Sequence, residues 1–264
     1  MRPEPADAPL LVTTSWDDGH PSDLRVADLL EKHGLRGTFY IPSSNTEGRP
    51  VMCRAEIAQL GRRFEIGGHT QNHISLTEIA PHLAADQILD NKHWLEDLLG
   101  RKVRGFAYVR GRHNRIVRGL VAKAGYQYAR TVKNLMSTPG SNPFEIATTT
   151  QFFAHSRSIY IRNYISGGLT PNRLAILVAV LSDAGLATRL SRAAEACVRR
   201  GGYFHLWGHS WELDQYGLWG ELDLLLGRLH QLNARFVTNA AWCENASVSA
   251  ARQCVSLPIQ GRKS

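Results

Sequence analysis

The stretch LLVTTSWDDGH, residues 10–20, places two adjacent carboxylates directly after an apolar, β-branched run. Residues 10–16 have the composition of a strand. Asp17 and Asp18 follow that strand and repel each other, and a turn that required only polarity would need one of them. The doublet therefore indicates either a solvated acidic turn or a functional site, and the rest of the chain has to discriminate between the two.

Strand-like and helix-like segments alternate on the C-terminal side of this stretch. Amphipathic helical periodicity, as in SDLRVADLLEKHG at 22–34, separates short runs rich in β-branched and aromatic residues. This alternation predicts parallel strands joined by crossover helices. The remaining strands are predicted at 36–42, 64–68, 102–109, 126–132, 144–150, 202–209 and 234–239. The remaining helices are predicted at 55–63, 80–99 (after a capping box in SLTE at 75–78), 114–125, 171–183, 187–200 and 218–231.

The domain organisation predicted from this pattern is simple. Since neither a linker nor an internal repeat interrupts the alternation, we expect one domain over 10–246, preceded by an extension at 1–9 and followed by a polar tail at 247–264. The most apolar stretch, 174–187, stays apolar for about eight residues, whereas a spanning helix needs about 20. It therefore predicts a buried helix and no transmembrane segment.

The bulk composition favours a soluble basic protein. The formal net charge is +8, but lysine and arginine are scattered, so we expect no nucleic-acid partner. The N-terminal MRPEPADAPLLV lacks the apolar core of a secretory signal. The four cysteines contain no CxxC pair, so we expect free thiols and a cytoplasmic location.

Two histidines follow the third predicted strand. His69 and His73 lie at positions i and i+4 in GGHTQNH, a spacing that lets two imidazole rings reach one metal ion. Taken alone, the pair is more often two surface histidines near a helix start. The carboxyl ends of parallel strands share one rim, however, so both histidines should lie near Asp18. One carboxylate and two imidazoles predict a catalytic metal site for zinc by default, with cobalt, nickel or iron as alternatives.

The second aspartate then has a chemical use. A hydrolytic water needs a base to accept its proton, and Asp17 can do this while Asp18 holds the metal. The cation also offsets the repulsion between the two carboxylates, so both can stay ionised.

The stretch GYFHLWGHSWEL, 202–213, is the next concentration of polar and aromatic residues at a strand end. His209, which follows Gly208, is the better candidate for a proton donor at the rim, whereas His205 alternates inside the strand and is predicted to be packed. Glu212 follows three residues after His209. Trp207 and Trp211 belong either to the core or to a surface that stacks on sugars.

These motifs resemble those of the polysaccharide deacetylases, the NodB-type carbohydrate esterases. TSWDDG is similar to the first motif of that family, HTQNH to the second, and FAYVRG and YARTV lie where the third and fourth are found. HLWGHSWE resembles the fifth motif in a branch with a WGHSWE signature, and the resemblance runs from about residue 10 to 240. It implies an α/β fold, a single-domain distorted (β/α) barrel with about seven parallel strands, and metal-dependent hydrolysis of N-acetyl or O-acetyl groups on sugars.

The resemblance also implies residue roles. Asp17 becomes the catalytic base, and His209 the general acid. Asp18, His69 and His73 become the metal ligands. The backbone amide that binds the oxyanion falls at Arg110, and the substrate and oxyanion contacts are assigned to Tyr108, Arg110, Trp207, Trp211 and Glu212.

The third motif departs from the family pattern. Ala107 stands where the family carries an arginine that holds the base, and Val109 stands at a later proline position. Arg130, at the end of the fifth predicted strand, is our candidate for supplying the missing charge. The aspartate of the fourth motif that tunes the acid is not evident.

The function predicted from these residues is a metal-dependent amidase that removes an N-acetyl or other acyl group from an amino sugar or acetylated saccharide. One alternative keeps the chemistry on a non-sugar amide or a cyclic imide. Another is a carbohydrate-binding protein that has lost turnover, against which the intact Asp17 argues. The substrate, the native metal and the oligomeric state are left open.

Overall fold

The computed structural model describes residues 10–199 and 202–244, and its centre is one parallel β-sheet. The predicted extension at 1–9 and the whole of the predicted tail at 247–264, which includes Cys254, lie outside the described residues. Within them, Cys53, Cys197 and Cys243 form no disulfide. The strands are β1 (Leu10–Asp17), β2 (Thr38–Ile41), β3 (Glu65–Gly68), β4 (Gly105–Ala107), β5 (Tyr128–Arg130), β6 (Thr150–Gln151), β7 (Tyr203–His209) and β8 (Ala234–Phe236).

The sheet is curled. Its order is β5-β4-β3-β2-β1-β7-β6, and β8 pairs with the first half of β1. Residues 146–151 connect its two sides, because Ile146 bridges to Arg130 of β5 while β6 pairs with β7. The predicted α/β class and distorted barrel are thereby confirmed, with seven strands in the main path and β8 added beside β1.

Helices cover the outside of this sheet, as the crossover connections require. In the helix that follows β1, Val26, Ala27 and Leu30 are buried at helical spacing, and the chain leaves through Gly34 in the left-handed region (φ +69°). The helices are α1 (Asp23–Lys32), α2 (Arg54–Arg63), α3 (Pro81–Leu99), α4 (Arg115–Lys123), α5 (Arg157–Ser166), α6 (Pro171–Val180), α7 (Leu186–Val198), α8 (Ser210–Tyr216) and α9 (Trp219–His230).

Three local predictions were wrong. The SLTE segment forms only a 3₁₀ turn at Leu76–Glu78, and Ser75 makes no side-chain cap, so α3 begins with Pro81 instead. The β-type run at 144–150 is a 3₁₀ turn followed by the two-residue strand β6. Helices α5 and α8 were missed, since α5 has no clear amphipathic period and the start of α8 continues the apolar, aromatic run of β7.

The interior of the barrel is filled. Tyr40 and Tyr128 are fully buried there, and Glu65 accepts a hydrogen bond from the Tyr128 hydroxyl at 2.6 Å. With the interior packed, the carboxyl ends of the strands are left to form a functional cavity, as in other α/β barrels. None of the helices in residues 10–199 and 202–244 combines the length and apolar content needed to cross a membrane.

Candidate metal centre and active site

The turn after β1 brings both aspartates to the rim of the barrel. Asp17 is the last residue of β1, while Asp18 and Gly19 both adopt left-handed backbone angles, at φ +78° and +62°. A Cβ on residue 19 would lie 2.8 Å from the Ile41 side chain, so the turn requires glycine there. Both carboxylates are 3% exposed and line one cavity of about 500 Å³.

The two histidines of the loop after β3 converge on Asp18. Nε2 of His73 lies 2.9 Å from Oδ1 of Asp18, and Nε2 of His69 lies 3.6 Å from the same oxygen. One ligand atom from each of the three residues falls within 4.8 Å of the others. The predicted triad of Asp18, His69 and His73 is therefore assembled at one point.

The donor set fits a divalent cation. Oδ1 of Asp18 is buried without a hydrogen-bond donor, while Oδ2 accepts a hydrogen bond from Nε1 of Trp211 at 2.9 Å. Nδ1 of His69 lies 2.8 Å from the carbonyl oxygen of Ala107, which can only accept, so this nitrogen carries the proton and Nε2 keeps its lone pair. Two imidazole nitrogens and one carboxylate oxygen can thus bind a divalent metal with positions left open.

The electrostatics favour an ionised Asp18. Burial acts to raise the pKa of Asp18, but its close contacts with the His69 and His73 rings and the charge of His209 lower it well below its usual range. The carboxylate is therefore ready to bind a cation at neutral pH.

Backbone strain is concentrated at this site. Among the described residues other than glycine, positive φ occurs at five positions, and four of them belong to the site loops: Asp18, Thr70, His73 and Arg110. Such conformations cost on the order of 1–3 kcal/mol each and persist where surrounding contacts enforce them. The strain accords with loops shaped for ligand geometry rather than for stability.

Arg130 binds Asp17, the other aspartate of the doublet. Its guanidinium donates hydrogen bonds to both carboxylate oxygens of Asp17. The side chain is fully buried, with its guanidinium carbon 5.3 Å from the centre of the Tyr40 ring and 5.1 Å from that of Trp207. Arg130 on β5 is the register partner of Ala107 on β4, so this charge comes from one strand beyond the family's arginine position.

His209 and His205 occupy different environments. His209 lines the cavity, and its Nδ1 lies 3.0 Å from Oε2 of Glu212. His205 is fully buried below the rim, where its ring nitrogens lie 2.7 Å from Oγ1 of Thr13 and 2.9 Å from Oγ of Ser15. The structure therefore brings His209, and not His205, to the cavity.

The pKa values of the two histidines move in opposite directions. Burial lowers the pKa of His205 well below its usual range, and the charge of Arg130 adds to that effect. Burial also acts to lower the pKa of His209, but the hydrogen bond to Glu212 and the charges of Asp18 and Asp17 raise it to about 9. His209 is therefore protonated at neutral pH.

This shift predicts how His209 contributes to stability in the metal-free protein. Because its pKa rises from 6.5 to about 9 on folding, its contribution is complete below pH 6.5 and is lost as the pH rises through about 9. We expect His209→Gln to lower the free energy of unfolding by at most about 3 kcal/mol more at acidic pH than at alkaline pH. Urea unfolding of both proteins after chelator treatment measures this difference, and a difference independent of pH contradicts the shift.

The remaining predicted residues separate into two groups. Trp207, Trp211, Glu212 and Arg110 line the cavity. Tyr108 does not: its side chain is 1% exposed and its hydroxyl donates to the Phe144 carbonyl at 3.1 Å, so the structure brings no Tyr108 side-chain contact to the cavity. Its neighbour Arg110 reaches the cavity because a left-handed residue (φ +54°) turns the chain after β4.

Trp211 has little free surface for stacking on a sugar. The guanidinium of Arg49 lies 3.8 Å from its ring centre, and the His209 ring lies 5.3 Å away at a tilt of 30°. With its N–H directed to Asp18, this tryptophan is better described as a residue that positions the metal ligand.

Sequence reasoning missed several residues of the cavity. Oε1 of Glu47, in the loop after β2, lies 3.5 Å from Nδ1 of His73, and Arg49 follows in the same loop. The rim argument used for Asp18 places this loop near the site, but no local pattern in the sequence singles out these two residues. The other missed lining residues are Val132, Asn134, Gln151, His155, Ile159, Arg162 and Asn163.

Asp23 was also missed as a titratable group near the site. It is fully buried at the start of α1, and burial raises its pKa well above the usual range, an effect to which the charges of Asp18 and Asp17 add. A protonated Asp23 adds no third negative charge beside the doublet.

Comparison with known proteins places this geometry in context. Residues 6–129 match the model of the polysaccharide deacetylase family. A Mycobacterium smegmatis protein described as a polysaccharide deacetylase superposes with a TM-score of 0.66 at 14% identity, covering 98% of this chain and 96% of the other. The chitin deacetylase of Colletotrichum lindemuthianum superposes with a TM-score of 0.59 at 16% identity, covering 90% and 88%.

Two further comparisons show how far the similarity to known proteins extends. The chain spans 62% of a Streptococcus pyogenes deacetylase solved with acetate, at 18% identity over 51% of this chain and a TM-score of 0.48. No curated protein matches the chain in sequence. The structural neighbours establish the shared fold, and the matched residues 6–129 contain both aspartates of the doublet and both histidines. Residues 6–129, somewhat less than half of the chain, are thus similar to the polysaccharide deacetylase family.

Proposed function

We propose that this protein is a metal-dependent deacetylase that hydrolyses the N-acetyl group of an amino sugar or of another acetylated saccharide. The observation that carries the proposal is the meeting of three groups in one cavity: the triad of Asp18, His69 and His73, the Arg130-bound Asp17, and the Glu212-bound His209. A carbohydrate-binding protein would need neither a base nor an acid beside the metal ligands.

A divalent cation held by Asp18, His69 and His73 would supply Lewis-acid polarisation of the acyl oxygen. Zinc is our proposal for its identity, because two imidazoles and one carboxylate are a common zinc donor set. The fifth-motif branch with the WGHSWE signature is likewise proposed, supported by the contacts of His209 with Glu212 and of Trp211 with Asp18. A cytoplasmic location stays a prediction.

Asp17 is the residue that takes the proton of the attacking water. Its carboxylate is held by Arg130 on one side and faces the cavity on the other, so its orientation is set before the substrate enters. The water oxygen bonds to the acyl carbon as its proton passes to Asp17. The backbone amide of Arg110 stays our candidate for the donor to the oxyanion.

His209 is the residue that supplies a proton to the leaving group. Nδ1–H donates to Glu212, which leaves Nε2–H available for the amine nitrogen. When the carbon–nitrogen bond breaks, the amine takes that proton and acetate is released. Gln151, whose amide nitrogen lies 3.1 Å from Oε2 of Glu212, helps to keep the carboxylate in place.

Acetate and amine release test this proposal. Purified protein loaded with zinc, and in parallel with cobalt, is assayed against N-acetylated sugars, O-acetylated sugars, simple amides and cyclic imides. We expect equal amounts of acetate and free amine from an acetylated amino sugar, released at least about a hundredfold more slowly by Asp17→Asn. If only non-sugar amides or imides are turned over, the protein is a hydrolase of those compounds and not of acetylated saccharides. If a saccharide binds without any product, the protein is a carbohydrate-binding protein.

A further inference from the structure

The mouth of the cavity carries more positive than negative charge. Arg49, Arg110 and Arg162 line it from three different elements: the loop after β2, the turn after β4, and α5. Glu47, which also lines the cavity, pairs with two of them: Oε1 binds Arg110 and Oε2 binds Arg49, both at 2.7 Å.

The deeper carboxylates have other partners than these arginines. Asp17 is bound by Arg130, and Glu212 by His209. Asp18 faces His69 and His73 and is the predicted ligand of a divalent cation. A bound cation would make the cavity still more positive.

Arg162 is the least satisfied of the three. Its side chain is exposed at the cavity edge on α5 and forms no ion pair or hydrogen bond with residues 10–199 and 202–244. A neutral acetylated sugar offers no anion to this guanidinium.

Arg49 and Arg110 are held in place without any ligand. Arg49 stacks on the Trp211 ring at 3.8 Å while it pairs with Glu47, and Arg110 is anchored by Glu47 on a left-handed backbone residue. Groups that are fixed in advance lose little conformational entropy on binding. Guanidinium forks match the oxygens of phosphate with two parallel hydrogen bonds.

We propose that the substrate of this site carries a phosphate or phosphodiester group next to its acetylated sugar, and that Arg162 binds this group together with Arg49 and Arg110. The acetyl group of this substrate rests on the proposed deacetylase function. The phosphate group rests only on the three arginines. The phosphate occupies the mouth while the acetyl group reaches Asp18.

A free sugar phosphate and a lipid-linked sugar share this chemistry, and one surface distinguishes them. On α5, the helix of Arg162, Ile161 and Ile165 are exposed, and Leu169 in the following loop is 69% exposed. A lipid carrier has an apolar chain and a membrane surface for such side chains to contact, whereas a free sugar phosphate has neither.

Binding to chelator-treated full-length protein tests the proposal without a metal that would itself attract phosphate. Calorimetric titrations compare N-acetylglucosamine 1-phosphate with N-acetylglucosamine on the wild type, on Arg162→Gln and on Arg192→Gln. Arg192 is an exposed arginine of α7 that does not line the cavity, and it serves as the matched control.

We expect the sugar phosphate to bind at least about tenfold more tightly than the neutral sugar, as a hydrogen bond to a charged group implies. Arg162→Gln should lower the affinity for the sugar phosphate by about tenfold, leave the neutral sugar unchanged, and behave unlike Arg192→Gln. Equal affinity for both sugars, no binding of the sugar phosphate, or equal losses in the two variants would overturn the proposal.

Two further arms separate the remaining possibilities. If the metal-loaded wild type releases acetate from both sugars at equal rates, the proposed deacetylase activity stands and the phosphate site is rejected. If the protein binds the sugar phosphate selectively but releases no acetate, the phosphate site stands and the deacetylase activity is rejected. Sedimentation with phosphatidylglycerol vesicles is measured for the wild type and for Leu169→Ser. If the wild type binds the vesicles and Leu169→Ser does not, the phosphate belongs to a lipid carrier. Retained phosphate selectivity without vesicle binding would assign it to a free sugar phosphate.

Discussion

Asp17→Asn is expected to retain the metal and to lose about a hundred- to ten-thousand-fold in turnover, the usual cost of removing a general base. The asparagine keeps the size of the side chain and a hydrogen bond to Arg130, but its amide cannot accept the proton of the water. Since Asp18, His69 and His73 are unchanged, metal content should match that of the wild type. Residual turnover should persist, because the cation and the oxyanion donor are still available.

Asp18→Asn is expected to fail in the opposite way. A neutral amide oxygen is a poorer ligand than a carboxylate, so this variant should lose metal and activity together. Oδ2 accepts the Trp211 N–H in the wild type, and that contact can survive the substitution, so the variant should still fold. The doublet is therefore predicted to be functionally asymmetric.

The measurement is metal content by atomic spectroscopy after dialysis, beside kcat for both variants. Asp183→Asn is the control, because Asp183 is an exposed carboxylate paired only with Arg157. Equal metal loss in Asp17→Asn and Asp18→Asn would mean a bridging pair without a dedicated base. Full activity in both variants would show that the doublet is an ordinary acidic turn without a catalytic role.

Arg130→Ala is expected to destabilise the fold by about 3–5 kcal/mol, because it leaves the buried Asp17 carboxylate without its partner. It should also lower kcat, since Arg130 is the only described residue whose side chain bonds that carboxylate. Arg130→Met fills the same volume and serves as the better-folded variant. Turnover and urea unfolding are measured for both, and a folded Arg130→Met with wild-type kcat would show that Arg130 does not position the base.

The double variant Arg130→Ala with Ala107→Arg tests the same role by rescue. Residues 107 and 130 are register partners on adjacent parallel strands, and both face the barrel interior. An arginine at 107 occupies the position found in the family's third motif and enters the space vacated at 130. We expect it to recover about tenfold of the lost turnover, whereas Ala107→Arg alone should be harmful, because a second guanidinium has no room there.

The metal triad could be predicted because it depends on short-range rules. His69 and His73 are four residues apart, and Asp18 follows a strand whose carboxyl end had to lie on their rim. The placement of His209 followed from the same rule. The alternation of parallel strands and helices therefore predicted where the metal triad and His209 lie.

The rest of the cavity could not be derived in this way. Glu47 and Arg49 lie in a loop without periodicity, and Arg162 lies on α5, whose sequence lacks a clear amphipathic pattern. The Tyr108 side chain lies buried just before the 3₁₀ turn at Val109–Gly111, a place that the motif position alone did not reveal.

The sequence by itself determined the α/β class, the parallel strands, the rim on which the chemistry lies and the donor set for a metal, because these depend on periodicity and on neighbours along the chain. Only the tertiary structure decided that Arg130 reaches Asp17, that Trp211 bonds to Asp18 and that three arginines face one cavity mouth. These contacts join residues up to 193 positions apart. They follow from the register of β4 with β5 and from the curling of the sheet, which bring together side chains that no local pattern relates.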